Sequence, residues 1–167
     1  LVPVMRLAER AGLHRLLESH LSVAAPNAAV KAAGVVAGML AGADSIDDLD
    51  VLRHGGMSKL FTGVRAPSTY GTFLRAFTFG HVRQLDAVAA RFLTRLAARA
   101  PLIAEPAGPG GRVMVDIDDT IIEVHGHTKQ GSGYGYSGVR GLNALLATVS
   151  TTQSAPVVVA QRLRKGS

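Results

Sequence analysis

The first hundred residues repeat their apolar positions with the period of an α-helix. One stripe comprises Leu13, Leu16, Leu17 and Leu21, and another comprises Val82, Leu85, Val88, Phe92 and Leu96. Spacings of three and four residues place such side chains on one helix face. The pattern predicts that residues 1–100 form a helical N-terminal region.

A cluster of aspartates marks one predicted helix start in this region. Ser45 stands three residues before Asp48, which is the spacing of a capping box. Asp44, Asp47 and Asp50 lie beside this pair, where the helix dipole favours negative charge. We therefore interpret the cluster as a helix cap rather than as a metal site.

The pattern changes after residue 100. Residues 100–111, "APLIAEPAGPGG", hold three prolines and three glycines, so residues 101–111 are predicted to be a linker between two domains. Residues 112–167 contain three runs rich in valine, leucine and threonine, "RVMVDIDDTIIEVHG", "LNALLATVST" and "APVVVAQRLR", which predict strands. The predicted fold class is α+β, although three strands with one hairpin seldom close a core alone.

The first predicted strand carries acids within an apolar run. "VMVDIDDTIIEVHG" has the composition of a buried strand, yet it contains Asp116, Asp118 and Asp119. Side chains alternate along a strand, so Asp116, Asp118 and Thr120 share one face. The Cα atoms of residues i and i+2 on that face lie about 6.5–7 Å apart. Carboxylate oxygens suit Mg²⁺ or Mn²⁺, which predicts a metal site for phosphate chemistry. The alternative is that Asp118, Asp119 and Thr120 only form a turn at the strand's end.

The charge of the chain favours a polyanionic partner. Net charge is +6, with 14 arginines against 4 lysines, and arginine can bind phosphate bidentately. Arg91 and Arg95 follow one another on a helix face that Arg99 extends, and Arg75 lies on a possible recognition helix. Arg140 follows a Gly/Tyr-rich loop suited to contact nucleic acid. A solvated surface and a flexible hairpin tip remain the alternatives.

Three segments together carry a family resemblance. They are "DIDDTIIEVHGHTKQGSGYGYSGVRGLNALLATV", the helical segment 42–86, and the closing "RLRKGS". In these segments the chain resembles bacterial insertion-sequence transposases of the DDE type, whose catalytic domain is RNase H-like. The resemblance spans most of residues 35–167.

The resemblance implies a fold, a partner and a site. Residues 1–100 would bind double-stranded DNA at the insertion-sequence ends, and residues 112–167 would begin an RNase H-like domain that is incomplete here. Asp118 would be the first catalytic acid, because Thr120 follows it as in the family, and Asp116 would support it or share the Mg²⁺ or Mn²⁺. Asp119 stands where a small hydroxyl residue is commoner, so its role is open. The intact enzyme would cleave DNA and join strands, with homodimerisation an open alternative.

Two other functions remain open. "VDIDDT" also resembles the Asp-x-Asp-x-Thr motif of haloacid-dehalogenase-like phosphatases, in which Asp116 would be the nucleophile and Asp118 the acid/base. The chain contains no acid after Glu123, so we expect it to be inactive alone, and a fragment that only binds DNA is the non-enzymatic alternative.

Three composition features bear on location and metal chemistry. The chain has no cysteine, which excludes disulfides, and no apolar run of about 18 residues that would predict a membrane span. Together with the resemblance, which implies a bacterial, nucleoid-associated protein, these features lead us to expect a cytoplasmic one. His125 and His127 form a His-x-His pair without a third ligand nearby in the sequence.

Overall fold

The chain is α+β and divides into two compact units, Leu1–Leu96 and Ala97–Ser167. The structure is a computed structural model, and it describes residues 1–61, 63–106, 108, 110–126 and 128–166. The division falls a few residues before the predicted linker 101–111, of which positions 107 and 109 lie outside the described residues.

Helices make up the first unit, as the apolar spacing predicted. They are α1 (Val2–Arg10), α2 (Leu13–His20), α3 (Ala28–Leu40), α4 (Met57–Leu60), α5 (Pro67–Arg75) and α6 (Phe79–Ala97), with a 3₁₀ helix at Asp47–Arg53. Gly12 separates α1 from α2 with a φ of 85°, a left-handed conformation that costs glycine little. Pro67 opens α5, where its missing N–H would have no helical partner anyway.

The helical unit has a closed apolar core. Its buried members are Ala8, Leu13, Leu16, Leu17, Leu21, Val23, Ala29, Phe73 and Val88. Phe77, Leu85 and Phe92 pack against this core while remaining partly exposed. Both predicted stripes therefore contribute to the core, and the α6 stripe does so mainly through Val88.

The reciprocal hydrogen bonds of the predicted capping box form at the start of the 3₁₀ helix, whose N-cap residue is Ile46. The Ser45 N–H donates to Asp48 Oδ2 at 2.9 Å, and the Asp48 N–H donates to Ser45 Oγ at 3.3 Å. The Ser45 hydroxyl also donates to the same carboxylate at 2.7 Å, and these hydrogen bonds lower the pKa of Asp48. Arg53 and His54 in turn hydrogen-bond Asp50, which lowers the pKa of that carboxyl.

The second unit contains an open antiparallel sheet. Its strands are β1 (Met114–Glu123), β2 (Gly133–Tyr134), β3 (Arg140–Thr151) and β4 (Ser154–Lys165). The central strand β3 pairs with β1 from Met114↔Ser150 to Glu123↔Gly141, and with β4 and the short β2 along its other edge. The three long strands form a meander. β1 lies within the first predicted strand sequence, and β3 and β4 contain the other two.

The first strand is not buried, although its composition predicted that it would be. All ten residues of β1 are exposed, and Ile117 is 66% exposed. β1 pairs along one edge with β3, and the described part of the chain provides no strand on its other edge. An apolar run indicates that a strand can be covered, but the covering layer must come from elsewhere in the fold.

Candidate functional site

Asp116 and Asp118 lie on the same face of β1, as alternation predicted. Their partners across the β1–β3 pairing are Thr148 and Leu146, and Thr120 follows on the same face. Asp118 Oδ1 accepts a hydrogen bond from the Asp119 N–H at 2.8 Å. The two carboxylates thus lie side by side on an open strand, and the turn that was the alternative interpretation does not occur there.

Exposure changes the physical argument for this pair. A buried carboxylate must be neutralised, paired or bound to a cation, whereas a hydrated one needs no partner. Asp116 and Asp118 are both exposed. Their place in an apolar strand therefore does not by itself require a metal, and the case for one depends on their common face and their chemistry.

Asp119 lies on the opposite face of β1, where it accepts hydrogen bonds from two other strands. Asn143 Nδ2 donates to Asp119 Oδ2 at 2.6 Å, and Arg164 Nη2 reaches the same oxygen at 3.3 Å. Arg164 also donates to Asn143 Oδ1 through Nε at 2.9 Å and Nη2 at 2.8 Å. We call Asp119, Asn143 and Arg164 the cross-strand triad, because its members come from β1, β3 and β4.

The cross-strand triad explains the residue whose role the sequence left open. The Asp119 carboxylate accepts hydrogen bonds from Asn143 and Arg164. Asp116 and Asp118 lie on the other face of the strand. The sequence held one indication of this role, because Asn143 is the one side-chain amide in the apolar run "LNALLATV". Asn143 is 7% exposed, so its amide needs the partners it has.

Two carboxylates form an incomplete set of metal ligands. Among the described residues, no three histidine, cysteine, aspartate or glutamate side chains come together in a way that could hold a metal ion. His125 lies 3.9 Å from Glu123, and His127 lies outside the described residues. Two exposed carboxylates still suit Mg²⁺, which usually binds one or two of them and completes its shell with water or phosphate.

The predicted DNA-contacting arginines of the helical unit lie on two helices. Arg75 ends α5, is exposed, and donates from Nη2 to Thr72 Oγ1 at 3.4 Å. Arg91 and Arg95 are one turn apart on α6 and both exposed, and Arg91 Nη1 donates to the Ala87 carbonyl at 3.1 Å. Arg99 follows the end of α6 at Ala97, so the helix does not carry the third member of the basic stripe.

Two of the candidate arginines have contacts that the sequence did not indicate. Arg95 Nη1 lies 2.7 Å from where a β-carbon of Gly12 would stand, so its side chain extends toward the α1–α2 junction. Arg140 begins β3 and donates from Nε and Nη2 to Ser132 Oγ at 3.2 and 2.9 Å. Its guanidinium therefore braces the loop before β3, while Tyr136 in that loop is fully exposed.

Comparison with known proteins adds no relative to this description. The chain matches no family model, no curated protein and no solved structure. Within the described residues, no helix is both long enough and apolar enough to cross a membrane.

Proposed function

We propose that this chain is part of an insertion-sequence transposase of the DDE type. The helical unit would bind the double-stranded DNA ends, and the antiparallel meander would be the first three strands of an RNase H-like domain. The observation that carries the proposal is the placement of Asp116 and Asp118 on one open face of the meander's first strand. The family resemblance and the net charge of +6 support it.

Asp118 is the proposed first catalytic acid, and Asp116 is its partner in holding a divalent cation. Mg²⁺ or Mn²⁺, when bound, would activate water and stabilise charge on the phosphate. Both carboxylates are solvated and have free oxygens on the same face, so they can bind a hydrated cation without rearrangement of β1. Asp119 is not a ligand in this proposal, because the cross-strand triad occupies its Oδ2.

DNA binding is assigned to the exposed arginines of α5 and α6, with Arg140 as a further contact from the sheet unit. Each phosphate neutralised by arginine releases counterions, so the logarithm of the association constant falls linearly with the logarithm of salt concentration. A bacterial protein of this kind would act at the nucleoid, and homodimerisation in the intact enzyme belongs to the same proposal.

The DNA test is an anisotropy titration of labelled duplex DNA with the full chain at several salt concentrations. Replacing Arg75, Arg91 and Arg95 together by glutamine should weaken binding and reduce the salt slope by up to about 0.9 per lost phosphate contact. Arg53→Gln is the matched control, since Arg53 is already paired with Asp50 at 2.6 Å. Absence of binding at low salt, or an equal loss in the control, would contradict the assignment.

The metal test uses Mn²⁺ as a paramagnetic probe of the same chain. We expect Mn²⁺ to broaden NMR signals around Asp116 and Asp118, and Asp118→Asn to remove most of the broadening. Glu123→Gln is the control, because it removes the same charge from β1 on the opposite face. Equal broadening in Asp118→Asn and wild type would refute the site.

One assay separates the transposase from the phosphatase. A phosphatase would hydrolyse a phosphomonoester, and Asp116→Asn would abolish that turnover, since Asp116 would be its nucleophile. The transposase proposal predicts no phosphomonoester hydrolysis by this chain together with salt-sensitive DNA binding. DNA binding without any Mn²⁺ effect would favour the fragment that only binds DNA.

A further inference from the structure

The helical unit contains a partly open cavity that the DNA-binding proposal does not use. Its volume is about 610 Å³, which lies within the usual range for small-molecule sites. α3 provides one wall through Asn27, Val30, Ala33, Gly34 and Ala37, whose spacing places them along one side of the helix. Met5, Leu52 and Phe61 add further apolar surface, so most of the lining is apolar.

Tyr70 on α5 is a buried residue with a polar group that also lines this cavity. It is 0% exposed, and its hydroxyl has no hydrogen-bond partner among the residues that the structure describes. The hydroxyl packs against Gly34, where any β-carbon would collide with it. A buried phenol normally finds a partner, so an orphaned one beside a cavity points to a partner that enters the cavity.

Two further polar side chains of the lining are also unengaged. Asn27 precedes α3 with a φ of 54° but makes no side-chain capping bond, although asparagine is a favoured N-cap. Arg65 is exposed and has no hydrogen bond or ion pair to any described residue. His14, by contrast, is paired with Glu18 at 3.2 Å.

We infer that this cavity binds an amphipathic organic anion. Its apolar body would lie along the apolar side of α3, and its carboxylate or phosphate would accept a hydrogen bond from Tyr70 and pair with Arg65. The guanidinium of Arg65 only donates and is always charged, and the phenol of Tyr70 can donate as well, so the pair favours an anionic head group. Glu9 on the α1 wall carries the opposite charge, so the sign of the head group is the decisive test.

The experiment compares three probes that share an eight-carbon tail: octanoate, octanol and octylammonium. Each is titrated into the full chain and followed by residue-resolved NMR and by the melting temperature. Octanoate should shift the amide signals of Val30, Gly34 and Tyr70 and raise the melting temperature most. Tightest binding by octylammonium would overturn the assignment of an anion, and shifts confined to residues 113–166 would overturn the site.

Variants test the two donors. Tyr70→Phe removes only the orphaned hydroxyl, so it should weaken octanoate about tenfold while the melting temperature without ligand stays the same or rises. Arg65→Gln should weaken octanoate but leave octanol unchanged. Arg53→Gln, which removes a paired arginine outside the lining, should have no effect. Unchanged octanoate affinity in Tyr70→Phe would contradict the inference.

Discussion

The two units of this chain bury their apolar residues very differently. Of the fifteen buried apolar residues that the structure describes, fourteen lie in Leu1–Leu96, and Val124 alone lies in Ala97–Ser167. In the sheet unit, β1 is exposed along its whole length, although it is as rich in isoleucine and valine as a core strand. Both units are therefore rich in apolar residues, but they differ in whether a second layer of structure covers those residues.

The difference shows what each kind of element needs in order to close a core. Helices that follow one another in the chain can pack their apolar stripes against one another within one unit. A sheet has two faces, and a meander of three long strands cannot cover either by itself. The sheet unit is instead held by its backbone ladder and by the cross-strand triad of Asp119, Asn143 and Arg164.

The largest expected change in stability comes from replacing a buried leucine of the helical unit, compared with a leucine of the sheet unit. Leu16 is 1% exposed in the helical core, so Leu16→Ala should cost about 2–5 kcal/mol of unfolding free energy. Leu146 is half-buried on β3, and Leu146→Ala should cost about 1 kcal/mol because less surface and no closed cavity are involved. Urea denaturation followed by circular dichroism, with hydrogen exchange to separate the units, measures both.

The comparison would fail if both substitutions cost the same. Leu74→Ala is a suitable control, because Leu74 is 37% exposed on α5 and its replacement should change stability little. A large cost at Leu146 would mean that the sheet unit has a core of its own.

Local elements of this fold could be predicted, but the burial of β1 could not. The leucine spacing predicts the helical N-terminal unit, and runs rich in valine, leucine and threonine predict β1, β3 and β4. Neither signal reports what packs on a strand, because Val115 and Ile117 look the same whether a layer covers them or not. Burial is set by residues distant in sequence, which local periodicity does not contain.

Some features of the candidate site could likewise be predicted from the sequence, and others could not. The common face of Asp116 and Asp118 follows from alternation alone and could be predicted. The role of Asp119 could not, because it depends on the register that brings Asn143 and Arg164 beside it. The orphaned hydroxyl of Tyr70 also required the tertiary fold, since α3 supplies its neighbour Gly34.

The second effect concerns the polar interactions of the sheet unit. Asn143 is 7% exposed and bonds to both Asp119 and Arg164. Asn143→Ala should therefore cost about 1–3 kcal/mol, since it leaves the carboxylate and guanidinium without their shared partner. Thermal denaturation and amide exchange along β3 measure the loss. Thr148→Ala, on the opposite face of β3, should have a smaller effect, and equal losses would refute a special role for the cross-strand triad.

The third effect returns to the helical unit and depends on pH. The Ser45 hydrogen bonds lower the pKa of Asp48 in the folded state, so the ionised carboxylate stabilises that state. This stabilisation is present above about pH 4, the ordinary range of an aspartate, and is lost as pH falls through the lowered value. Ser45→Ala should raise the pKa of Asp48 and lower the melting temperature slightly at neutral pH.

An NMR titration of the Asp48 carboxyl carbon, with melting curves at neutral and acidic pH, measures the Ser45→Ala effect. The difference in melting temperature between wild type and Ser45→Ala should shrink at low pH, because the protonated carboxyl gains little from the hydroxyl. Ser68→Ala, whose hydroxyl makes no hydrogen bond to any described residue, is the control. A difference that persists unchanged in acid would assign the stabilisation to Ser45 alone rather than to the charged pair.

The smallest effect on stability is expected on the exposed strand. Ile117 is 66% exposed, so Ile117→Lys should change the unfolding free energy by less than about 0.5 kcal/mol. The same change should reduce self-association, because it places a charge in an exposed apolar face that can pack against another chain. Analytical ultracentrifugation over a concentration series, with Thr120→Lys on the other face as the control, measures the association. A large loss of stability in Ile117→Lys would show that β1 is covered and would erase the contrast between the two units.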